Sequence, residues 1–177
     1  MSRPRGGTPA TTALERAGVS FVVHDFGEQP IDPELGYGRA AAAALGVDED
    51  RVFKTLLVTV TGSGGPTNRS PHHAVAIVPA STQLGLKAMA TALGVRKVEM
   101  LDAATAERIS GYVVGGISPF GQRAPTRGER PTIIDVSCGS HETVFVSGGK
   151  RGLDIEISPA DLTAVLRATT APIGVRH

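Results

Sequence analysis

The sequence predicts one α/β domain built on a central mixed β-sheet flanked by helices. Three observations predict it: β-branched apolar runs cluster in the middle of the chain, capped helical patterns stand early and late, and the two do not alternate as a strict βαβ repeat. With 177 residues and 41% apolar content, the chain has the size of a single domain that buries a real core. No internal repeat, Gly-x-Gly-x-x-Gly fingerprint or Walker loop is present to favour a nucleotide-cofactor fold.

The elements follow in order. Thr8-Pro9, with Ala10, Ala13, Leu14 and Ala17 behind it, combines a capping threonine, a first-turn proline and helical spacing, and predicts a helix ending near Gly18. Phe21 to Val23 reads as a strand, and Ala40 to Leu45 as a helix closed by Gly46. Val52 to Val60 and Ala74 to Val78 are β-branched runs expected to pair, joined by a loop from Gly62 to Pro71 that is longer than a minimal hairpin. Leu86 to Leu93 with Gly94 predicts a helix, and Asp102 starts another towards Ser110. Further strands are expected at Tyr112 to Val114, Thr132 to Asp135, Thr143 to Val146 and Leu153 to Ile157. Ser158-Pro159-Ala160-Asp161 joins an N-cap serine, a proline at the first helical position and an acid at the third, opening a helix through Leu166. Residues 1–7 read as a flexible N-terminus, 8–170 as the folded domain and 171–177 as a C-terminal tail.

Eighteen basic residues stand against seventeen acidic ones, so attraction to a polyanion has to come from local clustering. A single cysteine, Cys138, forms no internal disulfide and suits a cytoplasmic protein. No apolar run approaches a membrane span, and no apolar stretch follows the basic N-terminus, so neither export nor a membrane partner is expected.

Lys54 is the most informative candidate. Its strand is apolar on both faces, so its ammonium starts at the edge of a buried sheet and needs an anionic or carbonyl partner. It either snorkels or pairs with a structural carboxylate, or it holds the electron-rich end of a substrate. In Gly111 to Pro119, Gly115 and Gly116 let a ligand approach backbone N–H groups, or simply form a tight turn. Ser118 lacks a nucleophile elbow. Between two strands, Lys150 and Arg151 are framed by glycines and could grip an RNA phosphate, with Asp154 an acid on an apolar strand; the bland alternative is a solvated hairpin with Asp154 pairing Arg151. Arg123, Arg127 and Arg130 form a second basic loop. The histidines lack ligand spacing, so no metal site is expected, and no cofactor. Cys138, in a Ser-Cys-Gly-Ser turn, has no evident activating base.

Phe53-Lys54-Thr55-Leu56-Leu57-Val58, the Gly111 to Pro119 segment, Pro131 to Asp135 and Ser147 to Glu156, in this order and spacing, resemble the YbaK/EbsC family. The resemblance runs from about Thr8 to the last helix and includes Leu93 to Met100. It implies the fold of the editing domain inserted in bacterial prolyl-tRNA synthetases, and removal of cysteine from Cys-tRNA(Pro), with Cys-tRNA(Cys) as a further substrate. Lys54 matches the family's essential lysine, Gly115 and Gly116 its glycine loop, and Ser147 and Asp154 polar residues around the same pocket. In this family the substrate's own thiol attacks its ester carbonyl, giving a thiolactone and free tRNA. Mischarged tRNA and prolyl-tRNA synthetase are the implied partners, and DNA is not. One departure is Phe26, where related sequences often carry tyrosine, so a hydroxyl contact to substrate is missing. Two rival readings remain: a same-fold hydrolase for another small amino acid such as alanine, using water, and a non-catalytic tRNA- or synthetase-binding module.

Overall fold

The computed structural model describes residues 7–28, 34, 36–63, 72–125 and 130–176. The capping signals hold where they were strongest. Helix α1 (Pro9–Ala17) has Thr8 as N-cap and Gly18 in the left-handed conformation at its end, and α4 (Ala103–Ser110) has Asp102 accepting from the Thr105 N–H. Helix α5 (Pro159–Leu166) has Ser158 accepting from the Asp161 N–H. Helices α2 (Gly36–Leu45) and α3 (Leu86–Leu93) complete the set, α2 beginning four residues earlier than its alanine run suggests.

The strands are β1 (Val22–Asp25), β2 (Phe53–Ser63), β3 (His73–Pro79), β4 (Thr82–Leu84), β5 (Val95–Met100), β6 (Thr132–Asp135), β7 (Val144–Lys150), β8 (Leu153–Ile157), β9 (Thr169–Ala171) and β10 (Gly174–Arg176). Five of them form the main mixed sheet in the order β5-β2-β3-β6-β9, where β3, β6 and β9 are parallel and the other pairings antiparallel. A smaller antiparallel sheet has the order β1-β8-β7, and β4 pairs with β10. The expected strand at Tyr112 to Val114 is absent: the segment is a series of bends and turns, because Gly111 and Gly115 both adopt positive φ. The expected tail contains β10. Most of the Gly62 to Pro71 loop lies outside the described residues.

Burial follows the period of two along β3. Val75 and Ile77 face a core shared with α1, α5 and the small sheet, including Leu14, Phe53, Phe120, Ile134 and Ile155. Ala74, Ala76 and Val78 face the opposite side, where α3 packs Met89 and Ala90 against Val58, Val98 and Ile173. The chain therefore has cores on both faces of the main sheet, and β2 and β3 are fixed between them. A third cluster packs Ala41 and Ala42 of α2 on Val52, Ala80 and Phe145, closing the space beside the start of β2.

Candidate active site

Strand β2 positions the site. Ala80 N donates to Val52 O at 2.7 Å and Val60 N to His72 O at 2.9 Å, so the even-numbered backbone faces β3. The odd-numbered backbone faces the other edge, where Leu57 O accepts from Leu101 N and β5 pairs from Val58 onward. At its start, β2 makes a single parallel bridge to β7, Val52 to Phe145. Between these two contacts no strand among the described residues lies opposite Thr55, and a cavity of about 370 Å³ opens beside it.

Lys54, Ser147 and Asp154 all line this cavity, with Gly115, Arg151 and Phe26. Of the anionic or carbonyl partner that its strand context called for, Lys54 has the carbonyl: Nζ donates to Thr82 O at 2.6 Å. Burial, and then the neighbouring Arg39 charge, hold its pKa below the usual lysine value. Asp154 is 7% exposed, and desolvation pushes its pKa up to about 7. Among the described residues it pairs with no cation, so the pairing with Arg151 does not occur. Ser147 stands opposite Asp154 in the β7–β8 ladder, and its hydroxyl accepts from Gly149 N at 3.2 Å.

Arg151 instead spans the cavity rim. Its Nε donates to Val114 O at 2.9 Å, Nη1 lies 3.5 Å from Glu28 Oε1, and its guanidinium sits 5.0 Å from the Tyr37 ring centroid. Tyr37 packs so closely on Gly115 that a Cβ there would lie 2.5 Å from the ring, and Gly115 has φ +89°. Both facts require glycine. The two glycines of the loop then part company. Gly116 N donates to Val113 O at 2.8 Å, and its missing Cβ makes room for the Lys150 and Arg151 backbone, so it is a turn and packing residue. Gly115 N makes no hydrogen bond among the described residues and lies at the cavity wall.

The other sequence candidates do not line the cavity. Ser118 is fully buried outside the cavity, its hydroxyl accepting from Phe120 N at 3.2 Å. Arg123 donates to Arg108 O at the end of α4, and Arg130 to Arg123 O and Gln122 Oε1 within its own loop. Arg127 lies outside the described residues. Lys150 is exposed at the end of β7, beside the rim. Cys138 is buried in the main core, where desolvation and then Asp135 raise its pKa.

Sequence reasoning missed Tyr37, Thr82 and Thr55. Thr55 lines the cavity with a buried hydroxyl that has no partner among the described residues. Its place next to Lys54 on an apolar strand was the one available signal.

Fold and site together define a class: an α/β domain with a cavity beside the start of β2, lined by an ammonium, a carboxyl and a glycine amide. Comparison with known proteins identifies the family. Residues 36–165 match the aminoacyl-tRNA editing domain, and the chain belongs to that family. A candidate Cys-tRNA(Pro)/Cys-tRNA(Cys) deacylase, EbsC of Enterococcus faecalis, is 36% identical over 172 residues, covering 96% of this chain and 94% of that protein. Two solved structures share the fold: a hypothetical protein (TM-score 0.75, 22% identity, 94% of this chain and 99% of the other) and a candidate trans-editing enzyme for prolyl tRNA synthetase (TM-score 0.73, 19% identity, 94% and 95%).

Proposed function

We propose that this chain is a cytoplasmic trans-editing deacylase that removes cysteine from Cys-tRNA(Pro), with Cys-tRNA(Cys) as a second substrate. The observation that carries the reading is the chemistry of the cavity. It presents charged and hydrogen-bonding groups, yet among the described residues no histidine or cysteine lines it, and the Ser147 hydroxyl accepts from a backbone amide with no hydrogen bond to a base. Such a site suits a substrate that brings its own nucleophile.

In this reading the cysteinyl sulfur attacks its own ester carbonyl. A C–S bond forms, the C–O bond to the terminal ribose breaks, and the thiol proton passes to the departing ribose oxygen, leaving a thiolactone and free tRNA. Lys54 anchors the aminoacyl-adenosine end, and the Gly115 N–H faces the carbonyl oxygen as negative charge develops. Asp154 and Ser147 orient the amino acid from the opposite wall. Lys150 beside the rim, and the loop carrying Arg123, Arg127 and Arg130, meet the RNA backbone, and prolyl-tRNA synthetase supplies tRNA selectivity.

The test is to incubate the purified protein with cysteine-charged and, separately, alanine-charged proline tRNA. Cysteine is expected to be lost with alanine retained. Selective loss of alanine would move the function to water-driven hydrolysis, and loss of neither would leave a binding module.

A further inference from the structure

We propose that the C-terminal strand β10 is a positioning element for Lys54: by pairing with β4 it sets the Thr82 carbonyl that holds the Lys54 ammonium at the cavity. The inference rests on the reading of Lys54 as a substrate-binding group and adds a role for a segment far from the cavity lining.

The geometry is a chain of three links. The first is the short charge-assisted bond from Lys54 Nζ to Thr82 O at 2.6 Å. The second is the β4–β10 ladder, with Gly174 opposite Leu84, Val175 opposite Gln83 and Arg176 opposite Thr82. Gly85 N donates to Ile173 O at 2.7 Å, so the odd-numbered backbone of β4 faces β10 and the even-numbered backbone faces away. The Thr82 carbonyl is therefore left for Lys54, while Gln83 and Gly85 are held from the other side. Strand β4 is only three residues long and pairs with no other strand, so β10 is what fixes its edge.

The third link anchors β10 itself. The Asp135 carboxylate is 7% exposed, and its Oδ1 accepts from Ile173 N at 3.0 Å and Gly174 N at 2.7 Å. Ile173 is fully buried in the α3-side core. Thr82 Oγ1 donates to Pro79 O at 2.9 Å, which fixes the other end of the β3–β4 turn. At the tip of β10, Arg176 reaches Asp50 Oδ2 at 3.2 Å, and Asp50 also accepts from the Ser81 hydroxyl. Arg176 is 75% exposed, so that outer contact adds little. Asp135 and Val175 are the positioning residues.

Val175 is 53% exposed, so replacing it leaves the core intact. The experiment uses the full chain with Val175→Pro, which removes the N–H the ladder needs, and Val175→Ala as the conservative control. The chain has four lysines, at 54, 87, 97 and 150, so the Lys54 ammonium is resolvable by nitrogen-edited NMR. In Val175→Pro, proton exchange at Lys54 Nζ is expected to quicken at least tenfold, and kcat/KM on cysteine-charged proline tRNA to fall at least fivefold, with Val175→Ala within twofold of the parent on both. Unchanged exchange at Lys54 would overturn the proposal, as would faster exchange with unchanged kcat/KM while Lys54→Ala is inactive. Faster exchange with full activity in both variants would instead sink the catalytic reading of Lys54 and leave the tether standing. Gln83→Pro breaks the same ladder from β4 and carries the test should Val175→Pro fail to fold.

Discussion

Strand β2 has two halves that differ in one respect. From Val58 to Val60 it is held on both edges, by β3 with His72 and by β5; around Lys54 and Thr55 it is paired to β3 alone, and its other edge faces the cavity. The closed half contributes Val58, fully buried, to the α3-side core, whereas the open half contributes a half-buried ammonium and an unsatisfied buried hydroxyl. Withholding one neighbouring strand over a few residues thus turns a stabilising element into a binding one without changing its backbone conformation.

The sharpest break of this comparison is Lys54→Ala. Deacylation of cysteine-charged proline tRNA is expected to fall about 10²–10³-fold, roughly 3–4 kcal/mol of transition-state stabilisation, with the thermal midpoint unchanged; both are read from single-turnover assays and calorimetry. Next is the acid across the cavity. The pKa of Asp154 is raised in the folded state, from 3.8 to about 7, so the unfolded chain releases its proton first and folding stability falls as pH rises through that window. Asp154→Asn removes this penalty and is expected to gain on the order of 4 kcal/mol relative to the parent between pH 4 and pH 8, measured by urea unfolding across pH. In the closed half, Val58→Ala should cost about 2 kcal/mol of stability and leave kcat/KM of the folded protein unchanged. Gly115→Ala should cost about 1 kcal/mol in backbone strain and raise KM as Tyr37 is displaced. Smallest of all, Lys150→Ala should lower the slope of log tRNA affinity against log salt by about one, with little change in turnover.

Much of this was legible in the residues. Thr8, Asp102 and Ser158 are caps whose side chains accept from the first turn of the helix that follows, and the helices they open stand where they were expected. Periodicity also placed β2 and β3 as partners. It failed at Tyr112 to Val114, where three apolar residues beside flanking glycines look like a strand but serve a turn, and at Val95 to Met100, where only Val98 is buried and the pattern is that of an edge. Helix α2 started early because packing of Gly38 against Ala80 rewards a residue that helix propensity disfavours. Within the site, Lys54 and Asp154 came from chemistry that residue types carry, and Ser147 from the resemblance to the YbaK/EbsC family. The Thr82 acceptor did not, since a backbone carbonyl has no residue identity. Nor did residue type show that Arg123 and Arg130 each give a donor to a nearby backbone carbonyl, Arg108 O and Arg123 O, because those acceptors carry no residue identity either.

The rim of the cavity brings together Glu28, Tyr37, Val114 and Arg151 on one guanidinium. These residues are spread over more than 120 positions of the chain, so their meeting is a high-contact-order event that comes late in folding. A nascent chain released before residue 151 therefore has no closed rim, and it also lacks β8 and α5, which complete the main core. Ligand binding at this cavity is then a measure of completed synthesis and folding, and a partly made copy cannot occupy substrate that a finished one needs.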